Sequence, residues 1–126
     1  MLTEQEKRNV ELIDTFVAAW NRRDTDGVIA CLHESAQFTC GPIDELMPLT
    51  NPTPIYRTYI PATESIDMRV KPGTTRASGS MVTHERVDRM RMQDGSDHGS
   101  GTWFAIFAIM NNKIISFVDY RIGDAE

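Results

Sequence analysis

Cysteine is scarce in this chain. The two present, Cys31 and Cys40, have neither zinc-ligand spacing nor the numbers for a disulfide framework. Histidine is as sparse: His33 and His84 lie far apart and His98 falls in a Gly/Ser stretch, so no metal site is expected. No apolar run approaches the roughly 18 residues that would cross a bilayer, so no membrane partner is expected. The opening Met1-Leu2-Thr3-Glu4-Gln5-Glu6-Lys7 is polar and acidic, unlike a signal or transit peptide, which makes the cytoplasm the expected compartment. Positive charge is also in deficit. Thirteen Lys and Arg against 18 Asp and Glu give a formal net charge of −5, which argues against nucleic acid as the main partner.

What is present suits one soluble domain spanning 1–126, with 40% apolar and 25% charged residues. Thr3-x-x-Glu6 is a capping box, and Val10, Ile13, Phe16, Val17 and Trp20 follow at helical spacing. Asp24 or Thr25 can cap a second, shorter helix with Val28, Ile29 and Leu32 facing inward, and a short strand is expected over Ala36 to Thr39. Five of the six prolines fall between Gly41 and Pro61, which excludes a long helix or a central strand there. One helical turn or two fits around Ile55 to Ile60, and the segment reads as the lid or rim of a pocket. Beyond it the period changes to two. Strands are expected over Ser65 to Lys71, Gly79 to Met92, Trp103 to Met110 and Lys113 to Ile122, with turns at Pro72-Gly73, Asp94-Gly95 and Asn111-Asn112. Trp103 to Met110 is so apolar that it reads as covered on both faces. Helices first and an antiparallel meander after give an α+β fold, with helices on one face of a curved sheet.

The strand from Gly79 to Met92 carries the chemistry. One face presents Ser80, Val82, His84, Arg86, Asp88, Met90 and Met92; the other presents Met81, Thr83, Glu85, Val87, Arg89 and Arg91. Ionisable groups flanked by Val82 and Met90 on a core-facing side are costly unless paired. The final strand offers a partner, because Ile115, Phe117 and Asp119 share a face. On the concave side of a curved sheet, Arg86 could bond Asp88 and Asp119 at once through its fork of donors, leaving one carboxylate ionised and the other protonated. An acid and a base would then face one pocket at neutral pH. Taken alone, an Arg-x-Asp is more often a surface or structural ion pair. His84 is more often a core or rim histidine than a catalyst, Trp20, Trp103 and Phe104 read as core, and Cys40 reads as a small pocket or core residue rather than a nucleophile.

The segments Phe16-Val17-Ala18-Ala19-Trp20-Asn21-Arg22-Arg23-Asp24 and Cys31-Leu32-His33-Glu34-Ser35-Ala36-Gln37-Phe38 resemble the start of the nuclear-transport-factor-2-like (NTF2-like, SnoaL-like) superfamily. More narrowly, Thr83-His84-Glu85-Arg86-Val87-Asp88 resembles the catalytic strand of limonene epoxide hydrolases, and Phe117-Val118-Asp119-Tyr120 resembles their final strand. The likeness covers most of the chain and is poor from Gly41 to Ile66. It implies a cone-shaped, strongly curved mixed or antiparallel sheet, a homodimer, and an Asp-Arg-Asp site that needs no cofactor. It implies that Asp88 protonates the epoxide oxygen, that Asp119 activates water and that Arg86 bridges them, in one step without a covalent intermediate.

One departure from that family bears on mechanism. A Tyr and an Asn that hold its nucleophilic water align here with Phe38 and Cys40, which lack comparable hydrogen-bonding groups. Thr39, Asn51, Tyr56 and Tyr59 are candidate substitutes. The expected pocket therefore combines Phe38, Cys40, His84 and Phe117 with the Arg86, Asp88 and Asp119 centre. The leading expectation is hydrolysis of a small apolar epoxide to a vicinal diol. Proton-shuffling isomerisation or an epoxide-opening cyclisation, and a non-catalytic ligand-binding module, are the alternatives.

Overall fold

The computed structural model describes residues 1–42 and 47–125, with backbone alone at 42 and at 47–50. Thr3 opens helix α1 (Glu4–Asn21) with the expected box: its hydroxyl accepts from the Glu6 amide, and the Glu6 carboxylate accepts from the Thr3 amide. The stripe Ile13, Phe16, Val17 and Trp20 is buried, with Asn9 in line one turn before it. Polar contacts fasten both ends of α1 to the sheet. Asn9 donates to the Gly79 carbonyl (3.2 Å), and Asn21 exchanges two bonds with the Met68 backbone (2.7 and 2.9 Å). Of the two candidate caps, Asp24 is the one that caps α2 (Thr25–Ala30), accepting from the Gly27 amide. Val28 is buried, while Ile29 is only half-buried and Leu32 already belongs to a strand.

The strands are β1 (Leu32–Pro42), β2 (Met47–Thr50), β3 (Thr63–Val70), β4 (Arg76–Ser78), β5 (Met81–Met92), β6 (Gly101–Met110) and β7 (Lys113–Gly123). They form one mixed sheet in the order β2-β1-β7-β6-β5-β3, with β4 added on β5, and the sheet curls strongly into a half-barrel. All pairings are antiparallel except β1 with β7, which run parallel and join the front of the chain to its end. The α+β expectation holds. At the β6–β7 hairpin, Asn111 and Asn112 both take positive φ (52° and 61°), as a two-residue primed turn requires.

The proline-rich segment holds more structure than expected. Helix α3 (Thr53–Ala62) runs ten residues. Pro52 stands at its N-cap and Pro54 in its first turn, where amides have no helical partner anyway, and Pro61 is its penultimate residue. Pro48 lies in β2, an edge strand, as a residue without an N–H requires. Residues 43–46, part of the expected lid, lie outside the described residues.

Two other readings need correction. Strand β6 is covered on one face only: Trp103, Ala105, Phe107 and Ile109 are buried, whereas Phe104, Ile106 and Ala108 are half-buried and Met110 is exposed. Phe104 is thus not a core residue. In β7 a bulge intervenes, since Ala108 pairs with Ser116 but Ile109 pairs with Ile114. Ile115 is the extra residue, so Ile114 rather than Ile115 enters the core beside Phe117.

Phe16, Phe107 and Phe117 form the centre of the core, with centroids 4.5 to 6.0 Å apart. Phe107 is fully buried and packs on the sheet side of the site. Phe107→Ala should cost about 3–5 kcal/mol of stability, read from urea unfolding.

Candidate active site

Strand alternation delivers the inward row on β5 as expected: Val82, His84, Arg86, Asp88 and Met90 are all buried. Asp119 is two strands away on β7, with β6 between. Ala105 on β6 pairs with His84 on one side and Asp119 on the other. The result is a buried cluster. Arg86 Nε and Nη2 donate to Asp88 Oδ1 (2.8 Å) and Oδ2 (2.9 Å), and Nη2 also donates to Asp119 Oδ2 (2.7 Å). Arg86, Asp88 and Asp119 are 1%, 2% and 6% exposed, so this is no surface ion pair.

The remaining donor, Arg86 Nη1, meets His84 Nε2 at 3.2 Å. A guanidinium only donates, so Nε2 is the unprotonated nitrogen of a neutral ring. Burial and then the Arg86 charge depress its pKa to about 3, which keeps it neutral. His84 stands edge-on to Phe107 behind Arg86 and does not reach the cavity wall, where it was expected.

The two carboxylates differ. Both oxygens of Asp88 accept from Arg86. Asp119 uses Oδ2 alone, and its buried Oδ1 has no partner among the described residues. Burial raises the Asp119 pKa to about 6, against the lowering by Arg86 and with help from the like charge of Asp88. Arg86 stays protonated, because the pull of Asp119 and Asp88 outweighs its desolvation.

Asp88 and Asp119 open into a cavity of about 420 Å³. Phe38, Cys40 and Phe117 line it. Parallel pairing of β1 with β7 sets Phe38 beside Phe117 (centroids 4.7 Å) and Cys40 beside Asp119. The Cys40 thiol is pushed up to about 11 by burial and by Asp119, so it stays protonated and is no nucleophile. Trp20, Tyr56, Tyr59 and Trp103 complete much of the wall. Sequence reasoning took Trp20 and Trp103 for core alone. Tyr56 and Tyr59, named from the sequence as candidate substitutes, reach this wall from α3. The loop between β5 and β6 forms part of the mouth: the Tyr59 hydroxyl donates to the His98 carbonyl, and Trp103 Nε1 donates to the Gly99 carbonyl (3.0 Å). Among the described residues no cluster of three or more His, Cys, Asp or Glu is placed to hold a metal, and no helix is long and apolar enough to cross a membrane.

No protein-family model matches the sequence, nor does any curated protein. Solved structures do match, and they establish the fold as the NTF2-like cone. An NTF2-like protein of unknown function from Burkholderia pseudomallei aligns over 90% of both chains at 20% identity, with a TM-score of 0.68. An LEH-like epoxide hydrolase from M. tuberculosis aligns over 92% of this chain and 84% of its own, at 16% identity and a TM-score of 0.72. A putative ketosteroid isomerase from Kribbella flavida aligns over 96% and 82%, at 11% identity and a TM-score of 0.70. These likenesses speak for the architecture, which carries several chemistries.

The raised Asp119 pKa has a consequence for stability. The folded protein holds this proton up to about pH 6, whereas the unfolded chain releases it near 3.8. The contribution is therefore fully present below pH 3.8 and lost as pH rises through 6. Asp119→Asn lacks it, so its stability relative to wild type should be higher at pH 7.5 than at pH 4.5, measured by urea unfolding at both.

Proposed function

We propose that the protein is a cofactor-independent epoxide hydrolase that opens a small apolar epoxide to a vicinal diol. The observation that carries this reading is the Arg86 fork holding two carboxylates at the end of an apolar cavity, with one carboxylate oxygen left free. The Arg86 charge offsets that of a carboxylate beside it, which eases the burial of the cluster. Water attacks an epoxide carbon and gives its proton to Asp119 Oδ1 as the carbon–oxygen bond breaks. Asp88 gives its proton to the epoxide oxygen. The acid and base are then reset when a proton passes from Asp119 back to Asp88. Arg86 keeps its charge throughout and fixes both carboxylates.

The free Oδ1 and the raised pKa both suit Asp119 to the part of base. An ionised carboxylate with pKa about 6 binds a proton more strongly than an ordinary one, yet is mostly ionised at pH 7. The walls, built from Phe38, Phe117, Trp20 and Met90 among others, select an apolar substrate.

A second reading is favoured by one observation: Phe38 and Cys40 stand where the water-holding pair of limonene epoxide hydrolases would stand. Proton transfer without water, as in an isomerase or an epoxide-opening cyclase, would use Asp119 as base in the same cavity. The homodimer belongs to the proposal as well. Its contact would use the outer face of β6 and β7, where Phe104, Ile106 and Val118 are half-exposed and adjacent.

A panel of apolar epoxides in ¹⁸O water tests the reading. Diol carrying one labelled oxygen is expected; an unlabelled isomer or cyclised product supports the second reading instead. Activity should fall as pH drops through about 6, where Asp119 gains its proton. Asp88→Asn and Asp119→Asn should each lower kcat by about 10²–10⁴-fold. If no epoxide is turned over and both variants keep wild-type ligand affinity, a binding module is the better account.

A further inference from the structure

Three buried polar atoms have no hydrogen-bond partner among the described residues: Trp20 Nε1, the Tyr56 hydroxyl and Asp119 Oδ1. Folded proteins leave few such atoms, because each costs about 1–3 kcal/mol when stripped of water. All three belong to residues that line the same cavity. Three orphans around one space mark a place built for something that is not protein.

Their chemistry is complementary. The indole can only donate, an ionised carboxylate oxygen can only accept, and a phenol does both. Tyr56 lies close to the carboxylate, and its proton is held tightly by burial, by the Asp119 charge and by Cys40. Trp20 and Tyr56 are in edge-to-face contact, with centroids 5.0 Å apart. The other candidates are otherwise engaged or turned away. The Tyr59 hydroxyl is taken by the His98 carbonyl and the Met90 sulfur, Asn51 is exposed in a left-handed turn, and Thr39 lies on the face of β1 opposite Phe38 and Cys40.

We infer that the Tyr56 hydroxyl, with the Trp20 indole beside it, holds a small hydroxylic group against Asp119 Oδ1. In the reaction proposed above that group is the attacking water, and the inference rests on that reading for this identification. The helices α1 and α3 then supply what β1, with Phe38 and Cys40, does not. The water donates one hydrogen to Asp119 Oδ1 and is held in line by Tyr56, with the indole as an extra donor. Tyr56 is a positioning residue in this scheme: no bond to it forms or breaks.

The test uses Tyr56→Phe, which removes one oxygen and nothing else. Because that oxygen has no partner among the described residues, the urea midpoint should stay the same or rise. Cyclohexanol, an apolar ring with one hydroxyl, is titrated into ¹⁵N-labelled protein while the Trp20 indole N–H resonance is followed. The Trp103 indole, already bonded to Gly99, serves as the reference. Wild type should show a saturable shift at Trp20, and Tyr56→Phe should bind the alcohol about tenfold more weakly, the worth of a single hydrogen bond. On an epoxide that the wild type hydrolyses, the variant should lose about 100-fold in kcat with KM little changed. Unaltered alcohol affinity in Tyr56→Phe, or a lowered urea midpoint, overturns the inference. A wild type that opens no epoxide overturns the hydrolase reading alone, and the alcohol titration still decides the role of Tyr56.

Discussion

A guanidinium that is only 1% exposed survives in a protein interior when opposite charge surrounds it with good geometry. Arg86 meets that condition with three donations to two carboxylates and a fourth contact to a neutral imidazole. Much of the chain's arrangement follows from this requirement. Strand β5 must face inward at every second residue, and β7 must bring Asp119 within reach across β6. A bulge at Ile115 sets the register that brings Phe117 and Asp119 inward together.

The cluster is balanced but not saturated. Asp88 is fully engaged by the arginine, while Asp119 keeps one oxygen free and a pKa raised to about 6. That asymmetry separates a carboxylate fixed by its partner from one poised to exchange a proton. Around it the aromatic walls lower the local dielectric and sharpen the charge interactions inside the cavity. The same walls leave the Trp20 indole and the Tyr56 hydroxyl unsatisfied, a stability cost that a purely structural core would avoid.

Much of this was legible in the sequence because strand and helix periods are strong signals. The alternation from Val82 to Met90 put His84, Arg86 and Asp88 on one face, and the capping box at Thr3 and Glu6 marked the first helix. Features that depend on three-dimensional register were not legible. Alternation alone cannot reveal a bulge, so Ile115 was placed inward in error. Apolar composition could not tell that β6 is covered on one side only. Prolines hid α3, since a helix tolerates them at its first turn and near its end. His84 shares the inward face with Arg86 and Asp88 as the alternation predicts, but only Asp88 of the three lines the cavity. Nothing in the residue pattern could show that Trp20 and Tyr56 would end with polar atoms unpartnered. That depends on which neighbours the folded helices meet.

The central claim is that Asp119 is the proton-accepting member, the base, of an arginine-bridged pair. Carboxyl ¹³C NMR of protein labelled at aspartate, titrated from pH 3 to 8, tests it directly, with Asp119→Asn identifying the resonance. The account predicts an Asp119 carboxyl that titrates with a midpoint near about 6. An Asp119 carboxyl that has finished titrating below pH ~4.5, like an ordinary solvent-exposed aspartate, would contradict it.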